Sequence, residues 1–259
     1  MFTEKNSNNS ASINEEIDRY VQCSLNHEQL EALKGLQHWT VENSINVGSL
    51  CSFYYHPIIP LLAYLRWNDF DFDATVALIL RNIKKRDYAR ISSYSKQSPL
   101  NILNCLDFTK FLSLFPQWHC GFDKSGQPVL YKRFENFDLN SICEVLNPPE
   151  CVPPVSFSQI IESSSNRDTG VSSSLLNYHI WEMEVCSKLC LLQTNRLQSL
   201  VTKFSIIYDL KDATFHKATT DFLAYLYEVL TVTDILYPDL LDNISIINVP
   251  SGFSAFWMV

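Results

Sequence analysis

The sequence predicts an α/β protein whose N-terminal part is helical. Residues 203–209 (KFSIIYD) and 244–249 (ISIINV) are short, nearly continuous apolar runs, as expected of strands that are buried on both faces. Between them, Phe215, Phe222, Leu226 and Leu230 recur at helical spacing, and Pro238 ends the pattern. A strand, a helix and a second strand at this spacing predict a right-handed βαβ unit with parallel strands.

The N-terminal part carries two helical patterns. The clearer one follows Asp71, which can cap its first turn, and residues 84–86 (KKR) suit the negative end of the helix dipole. Its apolar stripe, at steps of three and four, consists of Phe72, Val76, Ile79, Leu80 and Ile83. An earlier helix is expected to begin after Asn26, a residue that is favoured at helix N-caps, and to continue towards Trp39.

Composition divides the chain into three parts. Residues 1–24 are expected to form a disordered lead, residues 25–110 a helical domain, and residues 111–259 the α/β domain. Within the last part, Asp123 and Gly126 indicate a tight turn before a strand at 129–131, and a helix is expected from about 176 to 200. Residues 147–174 are rich in Ser and Pro, which indicates an insertion.

Charge and glycine content exclude two classes of function. The chain has 20 basic and 28 acidic residues, a net charge of −8, so it lacks the excess of Lys and Arg that nucleic-acid binding requires. Glycine is scarce, with six among 259 residues. Gly121 and Gly126 have the outer spacing of a phosphate-binding loop, but Gln127 and Pro128 follow where Lys and Ser or Thr are needed. A nucleotide site is therefore not expected.

Cysteine spacing favours free thiols over a metal centre. The eight cysteines form no C-x-x-C pair, and further ligands at zinc-site spacing are missing. We expect no cofactor apart from a bound ligand. The chain also has no signal peptide and no apolar run of membrane-spanning length, which predicts a cytoplasmic protein, peripheral to membranes.

Five segments, taken in order and spacing, resemble the CRAL-TRIO lipid-binding and lipid-transfer family. They are residues 65–71 (LRWNDFD), 121–129 (GFDKSGQPV), 207–210 (IYDL), 237–239 (YPD) and 246–250 (IINVP). Two branches of the family compete. Residues 115–117 (FPQ) and 209–211 (DLK) are similar to the yeast phosphatidylinositol-transfer protein. Residues 27–33 (HEQLEAL) and 120–123 (CGFD) favour the animal supernatant-protein-factor, or tocopherol-associated, branch.

The resemblance implies a mixed or largely parallel sheet with helices that encloses one lipid molecule. The positions that it assigns to the lipid-binding site are His119, Leu130, Met183, Phe204, Ile206, Tyr208, Asp239, Ile244, Ile246 and Trp257. Ordinary packing of a protein core is the alternative explanation of the apolar residues among them, because apolar side chains of strands are usually buried.

Departures from the family pattern bear on the choice of ligand. The second Arg of the family's L-R-A-R motif holds a phosphoinositide headgroup, and Asn68 stands there in this chain. The Glu of its Y-P-E motif is Asp239, and Phe204 and Ile206 replace the Ser and Thr that meet a choline headgroup. A tocopherol, a squalene-like sterol precursor or another neutral lipid therefore fits better than a phosphoinositide, and another phospholipid is the alternative ligand. Transient contact with a membrane surface is also expected.

Two other functions compete with lipid transfer. Residues 252–256 (GFSAF) follow a predicted strand as a hydrolase nucleophile elbow does, but Phe256 replaces the last glycine, so no enzyme is predicted. A module that binds a partner protein or membrane surface without transferring lipid remains the alternative. The resemblance also places a gating helix directly after residues 246–250. The domain is therefore expected to be incomplete at its C-terminus, and a fragment without its gate is a further alternative.

Overall fold

The fold is seen in a computed structural model of the chain. It describes residues 15–249, apart from 16, 18, 22, 52–55, 89, 104, 106, 136, 147–172 and 213–216. The predicted insertion therefore lies almost wholly outside the described residues, as do Trp257 and the candidate nucleophile Ser254.

Three helices form most of the N-terminal part: α1 (His27–Glu42), α2 (Ile58–Trp67) and α3 (Phe72–Tyr88), with a 3-10 turn at Val47–Ser49. Both predicted N-caps are confirmed. The Asn26 side chain accepts a hydrogen bond from the Gln29 amide and completes a capping box, and the Asp71 carboxylate accepts one from the Ala74 amide.

A smaller hydrophobic core holds these helices together. It contains Leu36, Leu65 and Ile79, each fully buried. Ile17 and Val21 pack into the same core, and the described residues between 15 and 24 are helical, although composition assigned this segment to the lead. Buried apolar side chains thus extend the helical part upstream of α1.

A four-stranded mixed sheet forms the centre of the second part. Its strands are β1 (Gln117–Phe122), β2 (Pro128–Arg133), β3 (Phe204–Asp209) and β4 (Leu241–Ile247), in the order β1-β2-β3-β4. β1 and β2 are antiparallel, whereas β2, β3 and β4 run parallel. The parallel strands β3 and β4 confirm the pairing predicted for the βαβ unit, and the α/β fold with helices before the sheet is confirmed as well.

Helices pack around this sheet and complete the larger core. They are α4 (Pro99–Leu103), α5 (Phe108–Leu114), α6 (Leu139–Leu146), α7 (Ser173–Leu197) and α8 (Lys217–Leu236), with a 3-10 segment at Ile91–Lys96. The predicted helices of the last third correspond to α7 and α8. The larger core includes Ile91 and Leu103, so the segment that leads from α3 to β1 packs with the sheet rather than with α1–α3.

Candidate functional site

A groove lies between helix α2 and the C-terminal half of α7, and it encloses about 90 Å³. The segments that lead into β3 and β4 form its other walls. Its lining is largely apolar and includes Leu50, Ile59, Leu62, Leu191, Leu200 and Leu240. The Ser187 and Thr194 hydroxyls also face it, but they donate to carbonyl oxygens of α7 at 2.9 and 3.0 Å. The groove therefore suits an apolar occupant.

Three charged side chains lie together at the edge of this groove. The Asp239 carboxylate is 2.5 Å from the Lys203 ammonium and 3.8 Å from the Arg66 guanidinium. Arg66 also donates to the Tyr20 hydroxyl at 3.0 Å. Asp239 follows Pro238, just beyond the end of α8, and has a left-handed backbone with φ of 58°. Asp239 was expected from the family motif, whereas nothing in the sequence pattern pointed to Lys203.

The other described site residues lie on or near one face of the sheet. Phe204, Ile206 and Tyr208 alternate along β3 and are at most 1% exposed. Leu130 pairs with Ile206 from β2, and Met183 on α7 belongs to the same buried core. Ile244 and Ile246 pair with Ile206 and Tyr208 from β4, and they are half-buried. The structure thus places these residues together, packed within the larger core.

His119 lies at the edge of that face. It pairs with Leu130 across the β1–β2 hairpin and is partly buried, and burial lowers the pKa of its imidazole. Of the ten positions assigned from the family resemblance, Asp239 lines the groove, eight lie on or beside the sheet face, and Trp257 falls outside the described residues.

A buried polar cluster under the sheet was not anticipated from the sequence. The Lys132 ammonium, on β2, binds the Glu182 carboxylate of α7 and donates to the Tyr225 hydroxyl of α8 at 2.8 Å. His179 Nε2 lies 2.8 Å from the Thr233 hydroxyl. Burial opposes ionisation of Glu182, but the charge of Lys132 and the neighbouring His179 ring, 3.7 Å away, outweigh it and hold the pKa of the carboxyl below its ordinary value. The cluster connects β2, α7 and α8.

We expect His179 to make stability depend on pH. Burial lowers the pKa of His179, so the folded state keeps the ring neutral while the unfolded state titrates near pH 6.5. As pH falls below about 6.5, the unfolded chain binds a proton that the folded chain does not, and the unfolding free energy declines by up to about 1.4 kcal/mol per pH unit.

Urea unfolding at neutral and mildly acidic pH measures this decline. His179→Asn should reduce it by about 1 kcal/mol per pH unit, and the matched variant His38→Asn, at an exposed position of α1, should leave it unchanged. An unaltered pH dependence in His179→Asn would contradict the assignment.

A second buried cluster joins the two parts of the chain. Arg86 near the end of α3 is 3% exposed and donates to Glu184 of α7 at 2.7 Å and to the Ser49 carbonyl at 2.9 Å. Tyr237 also donates to Glu184, at 2.8 Å. The sequence suggested that Arg86 serves the helix dipole, but the structure pairs it with a carboxylate that lies 98 residues further along the chain.

Asn68, at the position of the family's headgroup arginine, completes the end of α2. Its backbone forms the C-cap of the helix, and its side-chain amide donates to the Tyr64 carbonyl at 2.9 Å. The Asn68 amide therefore stabilises the end of α2 by a hydrogen bond to the same helix.

The fold and the groove define a helical layer joined to a mixed-sheet domain, with an apolar recess between them. A family model of the CRAL/TRIO domain matches residues 112–259, which is more than half of the chain. The chain therefore belongs to the CRAL/TRIO family, whose domains generally bind or transfer lipophilic ligands. None of the curated proteins searched matches the chain. Among the described residues, no helix is both long and apolar enough to span a bilayer.

Proposed function

We propose that the chain binds a lipophilic ligand whose polar end is uncharged, and that it transfers this ligand between membranes. The observation that carries the proposal is the largely apolar lining of the groove, which reaches the segments just before β3 and β4. Leu240 lines the groove, and its carbonyl accepts a hydrogen bond from the Phe204 amide at 3.1 Å. The groove thus ends where β3 and β4 begin, and we propose that a longer ligand chain opens the core beyond it, towards the buried side chains of β3.

Binding requires the groove to widen. Pockets that enclose drug-sized molecules measure about 300–1,000 Å³, whereas the groove encloses about 90 Å³. Its two sides are contributed by Ile59 and Leu62 of α2 and by Leu191 and Leu200 on and after α7. Their contacts are apolar and non-directional, so a ligand chain can replace them at small cost. Each Å² of apolar ligand surface removed from water contributes about 25 cal/mol.

The polar groups near the groove favour an uncharged ligand. Arg66 and Lys203 already face Asp239, and the Asn68 amide is held by its own helix. Phe204 and Ile206 offer no hydrogen-bonding side-chain atom to a charged headgroup.

Tyr208 does not line the groove, but it offers a polar group to a ligand that opens the core beyond it. Its hydroxyl is buried on the sheet face and has no hydrogen-bond partner among the described residues. Burial raises the pKa of Tyr208, so the hydroxyl stays protonated and can donate. A single hydroxyl or carbonyl oxygen, as in a tocopherol, matches this one donor, whereas squalene, a hydrocarbon, would leave it unpaired.

We propose further that the chain acts by binding and not by catalysis. The described titratable groups under the sheet, Lys132, Glu182 and His179, are engaged with one another or with neighbouring hydroxyls in the core. The candidate nucleophile Ser254 can be tested directly, because a fluorophosphonate labels an activated serine. Labelling of Ser254 would contradict this part of the proposal, and its absence from an otherwise folded protein would support it.

An extraction assay tests the choice of ligand. Purified protein is incubated with donor vesicles that carry radiolabelled α-tocopherol, squalene or phosphatidylinositol, and the lipid bound to the protein is counted. We expect tocopherol or squalene to be extracted and phosphatidylinositol to remain in the vesicles. Equal extraction of phosphatidylinositol would overturn the proposal of an uncharged ligand. Acceptor vesicles added in a second step show whether the bound lipid is delivered, and retention would contradict transfer.

Filling the groove should strongly reduce uptake. Ala63 on α2 lines the groove, and Ala63→Phe places a ring in its volume. We expect uptake to fall about tenfold or more, since overpacking the site costs about 1–3 kcal/mol. The matched variant Ala74→Phe changes an exposed position of α3 and should bind as the unmodified chain does. Equal uptake by both variants would place the ligand elsewhere.

A further inference from the structure

An exposed apolar surface lies where the end of α7 meets the β1–β2 hairpin. We name it the α7–hairpin patch, and it consists of Phe122, Lys124, Lys188, Leu192, Arg196 and Leu197. Leu192, Phe122 and Leu197 are 53%, 43% and 42% exposed. Large apolar side chains that cluster on a surface, with polar residues around them, mark sites of contact with proteins or membranes.

The helix and the hairpin are held against each other, so the patch is a single surface. The Arg196 guanidinium lies 5.4 Å from the centroid of the Phe122 ring. Gly126, in the hairpin turn, has φ of 82° and leaves no room for a Cβ because Leu197 packs against it. Lys188, Leu192 and Arg196 follow one another at intervals of four residues and therefore share one side of α7.

The charge of the patch is opposite to that of the whole chain. Lys124 and Arg196 supply two positive charges beside the apolar side chains, in a protein whose net charge is −8. The Asp123 carboxylate, also on the hairpin, accepts hydrogen bonds from the Ser125 and Gln127 amides at 2.8 Å. Basic residues that flank exposed apolar side chains complement the anionic surface of a bilayer.

The patch also borders the groove. Leu191 and Thr194 of α7 line the groove, and their chain neighbours Leu192 and Asn195 are exposed. A bilayer that contacts Leu192 would therefore lie beside the groove wall. This continuity, together with the charge, distinguishes the patch from scattered exposed apolar residues such as Val41.

We propose that the α7–hairpin patch docks the protein on an anionic bilayer surface. Phe122, Leu192 and Leu197 enter the interfacial layer, and Lys124 and Arg196 face lipid headgroups. The proposal rests on the proposed function for its purpose, because a bilayer in this position supplies or receives the ligand at the groove. The docking itself is independent of which ligand is bound.

Co-sedimentation with vesicles tests the proposal. We expect the protein to bind phosphatidylcholine vesicles in which about one third of the lipid is phosphatidylserine, and to bind less as salt is raised. Arg196→Gln should lower the partition coefficient about fivefold and Leu192→Gln about tenfold. The matched controls Lys34→Gln and Val41→Gln, at exposed positions of α1, should bind like the unmodified chain.

Three results would overturn it: no vesicle binding by the unmodified chain, equal binding to pure phosphatidylcholine, or equal losses in the control variants. Thermal unfolding of Leu192→Gln and Arg196→Gln verifies that both variants are folded. Ligand delivered from cyclodextrin, without vesicles, separates this proposal from the proposed function. Both patch variants should take up that ligand normally, and failure of the unmodified chain to take it up would contradict the proposed function and leave the docking intact.

Discussion

Replacing Lys132 with methionine is expected to lower the unfolding free energy by about 3–5 kcal/mol. Lys132 is fully buried, and its ammonium binds Glu182 and donates to Tyr225. It also lies 5.6 Å from the centroid of the Phe115 ring and 5.5 Å from that of Tyr225. Methionine keeps most of the side-chain volume but leaves the Glu182 carboxylate buried without its countercharge, which accounts for the large cost.

A double variant separates the charge from the packing at this site. Lys132→Met combined with Glu182→Gln removes both charges, and we expect it to recover much of the stability lost in the single variant. Lys124→Met, at an exposed position of the hairpin turn, is the matched control and should change stability by less than about 0.5 kcal/mol. Urea unfolding measures all three. A double variant as unstable as the single one would show that packing, and not charge, dominates.

Replacing Arg86 with methionine is expected to cost a similar amount, about 3–5 kcal/mol. The guanidinium satisfies Glu184 and the carbonyls of Ser49 and Leu236, and it lies 5.1 Å from the centroid of the Tyr237 ring. Its loss leaves the buried Glu184 carboxylate with the Tyr237 hydroxyl but without a cation. Because Arg86 belongs to α3 and Glu184 to α7, the damage should appear as weaker attachment between the helical layer and the sheet domain.

Hydrogen exchange locates this effect. In Arg86→Met, amides of α2 and α3 should exchange faster, while those of β2 and β3, within the larger core, should keep most of their protection. Arg81→Met, on the same helix at an exposed position, is the matched control and should exchange like the unmodified chain. Uniform loss of protection across both cores would contradict a local role of Arg86 at the junction of the two layers.

Local sequence patterns were sufficient for much of the fold. Asn26 and Asp71 cap their helices because a side-chain oxygen at that position reaches an amide three residues later, which is a short-range geometry. The runs at 203–209 and 244–249 correctly predicted the parallel strands β3 and β4. Burial on both faces was wrong for β4, which is last in the described strand order and is half-buried or exposed along its length.

The buried charges could not be located in this way. Lys132 shares the inward face of β2 with Leu130, a period-2 signal, but a lysine at such a position normally indicates an exposed face. Its partner Glu182 lies 50 residues away, across the Ser- and Pro-rich insertion. Arg86 likewise looked like an ordinary cation at a helix end, because its partner Glu184 lies 98 residues further along the chain. Ion pairs between residues so far apart in the chain depend on how the helices pack against the sheet, and local sequence patterns carry no information about that packing.

The candidate site, too, was only partly predictable from the sequence. The family motif identified Asp239, and the alternation of β3 placed Phe204, Ile206 and Tyr208 on one face. The groove itself is made by side chains from α2, α7 and the segments before β3 and β4, which come together only through tertiary packing. Lys203 became relevant because its ammonium reaches Asp239, 36 residues later.

Native mass spectrometry of the full chain after incubation with a lipid mixture tests the central claim most directly. Protein is exposed to equal amounts of α-tocopherol, squalene, phosphatidylcholine and phosphatidylinositol, and the bound lipid is identified from the mass of the complex. We expect one molecule of tocopherol or squalene per chain, and about tenfold less bound lipid in Ala63→Phe. A chain that holds phosphatidylinositol instead, or that retains its lipid when the groove is filled, would contradict it.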